Sequence, residues 1–211
     1  MHKQSTLLGP HSFRRKDESD DARCYELPRL LIHVDESASR ASAAFFKERL
    51  PPEGDILDLM SAYRSNLPSD LSLNSVTGLG MNKEELSKNA ELNGHVVHNL
   101  NQNPEMPFDD KQFDACTLSF SLQYLTQPVS VLTDLARLLR PGGTCYIAFS
   151  NRLFPTKAVF CWQTATDFQK AELVTLCLDE SGLYETPSAQ QVVAPDRSYD
   201  PLYVVSARRK S

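Results

Sequence analysis

Phe113-Asp114-Ala115-Cys116-Thr117-Leu118-Ser119, the helical stripe begun by Pro128, and then Leu138-Leu139-Arg140-Pro141-Gly142-Gly143 with Cys145-Tyr146-Ile147-Ala148-Phe149-Ser150 together decide the fold. The first and last runs are apolar at consecutive as well as alternate positions, the pattern of strands buried on both faces in a parallel sheet. Between them Val131, Leu132, Leu135, Leu138 and Leu139 fall on one helical stripe. Pro128 suits its first turn, Arg137 and Arg140 suit its C-terminal end, and Pro141-Gly142-Gly143 is read as its stop. Strand, helix and strand in this order predict a parallel βαβ unit.

The same alternation extends toward the N-terminus. Asp55 to Met60 and Ser75 to Gly80 read as buried parallel strands, and His95 to His98 as a third. Asn82 with Glu85 three residues later predicts a capping box for a helix through about Asn89. Ala41, Ala44, Phe45 and Leu50 predict an amphipathic helix from Ser37, ended by Pro51-Pro52 and Gly54. Pro68 leaves little room for a long helix between the first two strands, so that crossover is expected to be short and irregular. Beyond the deciding stretch, a helix over Asp167 to Glu180 closes near Gly182, and β-rich runs follow at 191–193 and 202–207. The predicted organisation is a mobile, aperiodic tail over 1–24, a cap segment and helix over 25–54, and one α/β domain over 55–211.

Composition sets the class. The 211 residues are 41% hydrophobic and 23% charged, ordinary for a globular chain able to bury one large core. A formal net charge of −5, with basic residues scattered, speaks against nucleic acid as a partner. No apolar run is long enough to cross a bilayer and the N-terminus lacks an apolar signal core, so membrane partners are not expected and a cytoplasmic location is. Five widely spaced cysteines without a CxxC pair or a nearby histidine predict reduced thiols and no metal site, with Cys116 and Cys145 as small buried hydrophobes.

Met106-Pro107-Phe108-Asp109-Asp110-Lys111-Gln112-Phe113-Asp114-Ala115, taken with Leu138 to Gly143, resembles the LPFxDxxFDxV and RVLKPGG segments of type 11 methyltransferases, among them the ubiquinone and menaquinone biosynthesis enzymes. Segments at 28–35, 76–86, 99–108, 149–158 and 200–208 further resemble a divergent subgroup of that family. The resemblance implies a Rossmann-like three-layer α/β sandwich, with a mostly parallel seven-stranded sheet and one antiparallel strand. It also implies an S-adenosylmethionine cleft at the carboxyl ends of the first strands, where open α/β sheets place their ligands.

Carried onto this chain, the acidic position after the first strand is Asp58. The glycine-rich turn that normally follows is replaced by Met60, Ser61, Ala62, Tyr63 and Arg64. At the end of strand two, where a carboxylate usually accepts the ribose hydroxyls, Gly80 stands beside Met81. Asn99, with Leu100, occupies the adenine-contacting position, and Ser119 ends strand four. The cofactor residues expected are therefore Asp58, Met60, Ser61, Gly80, Met81, Asn99, Leu100 and Ser119. His33 and His98 are candidate bases, and Tyr124, Asn151 and Arg152 candidate acceptor-lining residues, each with a structural or solvated role as the alternative. Two functions stay open: a methyltransferase acting on a small molecule, or a methyltransferase-like binding or regulatory protein without catalysis.

Overall fold

The computed structural model describes residues 8, 9 and 11–211. Among these residues seven strands form one sheet: β1 (Asp55–Leu59), β2 (Ser75–Gly80), β3 (Gly94–Val97), β4 (Phe113–Ser119), β5 (Leu139–Phe149), β6 (Ser188–Val193) and β7 (Leu202–Arg208). Their order is β3-β2-β1-β4-β5-β7-β6. All neighbours pair in parallel except at β7, which runs antiparallel to both β5 and β6, so the seven-stranded, mostly parallel expectation holds. The chain leaves β1 in one direction toward β2 and β3 and returns to β4 on the other side. That reversal opens a crevice at the carboxyl ends of β1 and β4.

Among the described residues six α-helices accompany the sheet: α1 (Asp21–Cys24), α2 (Glu36–Lys47), α3 (Lys83–Ser87), α4 (Pro128–Leu138), α5 (Phe160–Thr164) and α6 (Asp167–Ser181). On one face the α4 stripe packs with Leu173, Val174 and Trp162 over Leu57, Cys116 and Ile147; on the other, Phe45 and Phe46 of α2 meet Tyr146 and Val204. These two cores give the three-layer section. Helix α6 starts at the reciprocal Thr166–Gln169 capping box and ends where Gly182 turns left-handed at φ +72°.

Three readings of the sequence change. Helix α4 stops at Leu138, not at the Pro-Gly-Gly stretch, because Pro141 forces its predecessor toward extended backbone and Leu139 to Gly143 join β5 through a register irregularity. Arg140 is thereby removed from the helix end and instead pairs with Asp55 (3.0 Å) and Asp114 (2.5 Å) across the sheet. The box at α3 is half formed: Asn82 accepts from the main-chain N–H groups of Glu84 and Glu85, while the Glu85 carboxylate takes the main-chain N–H of Arg29 (2.6 Å). Residues 11–24, read as a mobile tail, are packed; Arg15 lies antiparallel against Val159, and Ser12 accepts from the Cys161 N–H. Residues 1–7 and 10 of that tail lie outside the described residues. The β1–β2 crossover, residues 60–74, contains no helix, in line with the expectation from Pro68.

Candidate active site

A cavity of about 370 Å³ opens at the carboxyl ends of β1, β2 and β4. Asp58, Met60, Ser61, Gly80, Met81, Asn99, Leu100 and Ser119 all line it. So do His33, His98, Tyr124 and Arg152; Asn151 does not, and its side chain is exposed.

The turn after β1 shapes the cavity floor. Met60 adopts φ +57°, a conformation that favours glycine, and Phe120 directly after β4 does the same. Two bulky residues thus hold left-handed backbone at the ends of the two central strands, and strain of this kind is retained where the surroundings enforce it. The turn then folds over β2: the Ser61 N–H donates to the Leu79 carbonyl (2.8 Å), and a Cβ placed on Gly80 would lie 2.1 Å from the Ser61 carbonyl oxygen. The two departures noted in the sequence are therefore one. The main chain of Ser61 occupies the space that a carboxylate side chain at position 80 would need.

Asp58 is buried beneath this turn. Removal from water pushes its carboxyl up to about 7, against the opposing influence of the Ser61, Ser65 and Thr117 hydroxyls. Only Thr117 reaches full hydrogen-bond geometry (3.1 Å), so Oδ2 of Asp58 has no partner among the described residues. The hydroxyls of Ser61, Ser119 and Ser121 are likewise buried and unpartnered. All four oxygens with unmet hydrogen-bonding capacity belong to residues of the cavity wall, the region where a polar ligand would supply the missing partners.

The other end of the cavity is built by the N-terminal segment and the residues after β5. Tyr124 stacks on Phe154 (5.9 Å between ring centres) and its hydroxyl accepts the Phe154 N–H (3.0 Å). The His33 ring meets Phe154 edge-on at 5.6 Å. Surrounding protein, then the charge of Arg29, hold the His33 imidazole below its ordinary value, leaving it neutral and able to accept a proton at pH 7. His98 is less available, because its Nε2 is 2.8 Å from the Asn103 carbonyl and must carry the proton there. Arg152 is tethered to Asp200 at 2.7 Å.

Several cavity residues had no signal in periodicity or composition. Buried Asp21 sits between Arg15 (2.8 Å) and Lys157 (3.2 Å) and accepts from Asn101 (2.8 Å). Burial opposes its ionisation, but the bonds from Arg15 and Asn101 prevail and hold its carboxyl below the ordinary range. Lys157 lies inside one of the subgroup-like segments, and only that likeness pointed near it. No group of three or more histidine, cysteine or acidic side chains among the described residues is placed to hold a metal ion. No helix among them is long and apolar enough to cross a membrane.

A family model described as a methyltransferase domain matches residues 61–147. The ubiquinone/menaquinone biosynthesis C-methyltransferase UbiE of Roseobacter denitrificans is 32% identical over 106 residues, 50% of this chain and 35% of that one. UbiE of Geobacter sp. strain M21 is 35% identical over 74 residues, 35% of this chain and 30% of the relative. The chain thus spans about a third of the length of these curated relatives. Among solved structures, an S-adenosylmethionine-dependent methyltransferase from Mesorhizobium loti superposes with a TM-score of 0.55 at 15% identity, over 80% of this chain and 98% of the other. At that identity the likeness speaks for the fold alone. Strand order and superposition give this chain the Rossmann-like fold of solved S-adenosylmethionine-dependent methyltransferases, and its residues 61–147 are similar to the methyltransferase-domain family.

Proposed function

We propose that this chain binds S-adenosylmethionine at the ends of β1, β2 and β4 and methylates a small-molecule acceptor, in the cytoplasm and without nucleic-acid or membrane partners. The observation that carries the reading is that four residues lining the cavity at the sheet's reversal point, Asp58, Ser61, Ser119 and Ser121, each hold a buried oxygen without a partner among the described residues. Such oxygens fit the ammonium end of an amino-acid moiety. Asn99, with Met81 and Leu100, would hold the adenine, since an amide both donates and accepts. When bound, the cofactor supplies an electrophilic methyl group. The chain's own contribution is to align the acceptor, exclude water, and receive the acceptor's proton at the neutral His33 imidazole where the nucleophile is a hydroxyl.

A second reading, a methyltransferase-like protein without catalysis, is favoured by the Ser61–Gly80 crossing, which leaves no room for the ribose-binding carboxylate. Calorimetric titration of purified protein with S-adenosylmethionine and S-adenosylhomocysteine separates the two. Micromolar binding, weakened about tenfold by Asp58→Ala, supports methyl transfer, in line with the loss of one charge-assisted hydrogen bond. Absence of binding at millimolar cofactor selects the second reading.

A further inference from the structure

Four of the five cationic side chains on the cavity wall already have carboxylate partners. Arg15 pairs with Asp21, Lys157 with Asp17 and Asp21, Arg64 with Glu91, and Arg152 with Asp200. Arg29 has none among the described residues. Its Nη2 donates to the Cys24 carbonyl (3.0 Å) and contacts the Cys24 sulfur (3.5 Å), while its Nε and Nη1 make no hydrogen bond among those residues. The nearby Glu85 carboxylate is turned to the main-chain N–H of Arg29, not to its guanidinium. Two rings orient the group, Tyr25 at 5.4 Å and Phe154 at 5.1 Å from its central carbon.

A guanidinium held against aromatic faces, with donors left over at a cavity wall, is the arrangement that recognises a planar oxyanion. The same part of the cavity is aromatic: Tyr124 stacks on Phe154, and His33 stands at the edge of that pair. Sequence alone could not single out Arg29, because its freedom is defined only by which carboxylates the fold brings to the other cations.

We propose that Arg29 selects the acceptor by pairing with its carboxylate, and that the acceptor is a small aromatic acid whose ring packs beside Tyr124 and Phe154. This rests on the cavity being the acceptor site proposed above. The test titrates wild-type protein with benzoate, phenylacetate and cinnamate, each beside its primary amide, with and without saturating S-adenosylhomocysteine. At least one acid is expected to bind about tenfold more tightly than its amide, the usual advantage of a charge-assisted pair. Arg29→Gln should erase that preference without changing S-adenosylhomocysteine affinity, and Arg29→Lys should keep part of it.

Equal binding of acid and amide, no binding of any acid, or a preference that survives in Arg29→Gln each overturns the proposal. Should Arg29→Gln fail to fold, the wild-type ratio and the Arg29→Lys variant decide in its place. An acid preference in a protein that binds no S-adenosylhomocysteine would leave the carboxylate site standing and remove the methyl-transfer reading. Cofactor binding without an acid preference would do the reverse.

Discussion

The position of one carboxyl and one missing side chain defines how the strand ends differ from an ordinary cofactor turn. Asp58 was legible as the acidic residue closing the first strand, but the sequence does not say how dry its surroundings are. Folded, its carboxyl titrates near 7 against an ordinary value of 3.8. Between those values the folded chain holds a proton that the unfolded chain has released, so stability falls as pH rises from about 4 to about 7 and levels off above. Asp58→Asn, neutral throughout, should therefore gain melting temperature relative to wild type at pH 8 and gain much less at pH 4.5; parallel thermal scans at the two values check the sign. Gly80 was read as a lost carboxylate. Its physical role is to let the Ser61 carbonyl pass. Gly80→Ala should destabilise by about 1–3 kcal/mol through overpacking, seen as a lower urea midpoint, and no change in midpoint would mean that the turn yields freely.

At the scale of elements, the N-terminal segment departs furthest from expectation. Its composition, rich in serine, arginine and aspartate, carries no periodic apolar face, which is why it reads as a tail. It is held by buried charge pairing instead: Arg15 and Lys157 share Asp21. Removing the shared partner leaves two buried cations short of compensation. Asp21→Ala should cost about 3–5 kcal/mol by chemical denaturation, more than an exposed pair such as Arg40–Glu36 could contribute. By contrast α2, α4 and α6 were readable to within a few residues, because their apolar stripes, caps and terminal glycine act locally. The early end of α4 was missed because it depends on Leu139 pairing with Phe113 in the sheet.

For the whole molecule, burial of the thiols gives a direct check on the packing. Cys116, Cys145, Cys161 and Cys177 are buried and only Cys24 is half-exposed, with burial pushing Cys161 up to about 11 and Cys177 up to about 12. A thiol reagent at pH 8 should titrate about one cysteine in the native protein and all five after denaturation; rapid native reaction of more than two would contradict the core described. By itself the sequence determined the fold class, the order of strands and helices along the chain, and the strand-end positions from Asp58 to Ser119. The elements and their order follow from apolar periodicity and turn residues, while the seven-stranded fold and the strand-end positions came from the family resemblance, all written in local order. Only the tertiary structure decided that the β1 turn crosses Gly80, that the N-terminal segment walls the cavity, and that Arg29 alone among its described cations lacks a carboxylate. Each of these depends on distances between residues far apart in the chain, which chain-local patterns do not encode.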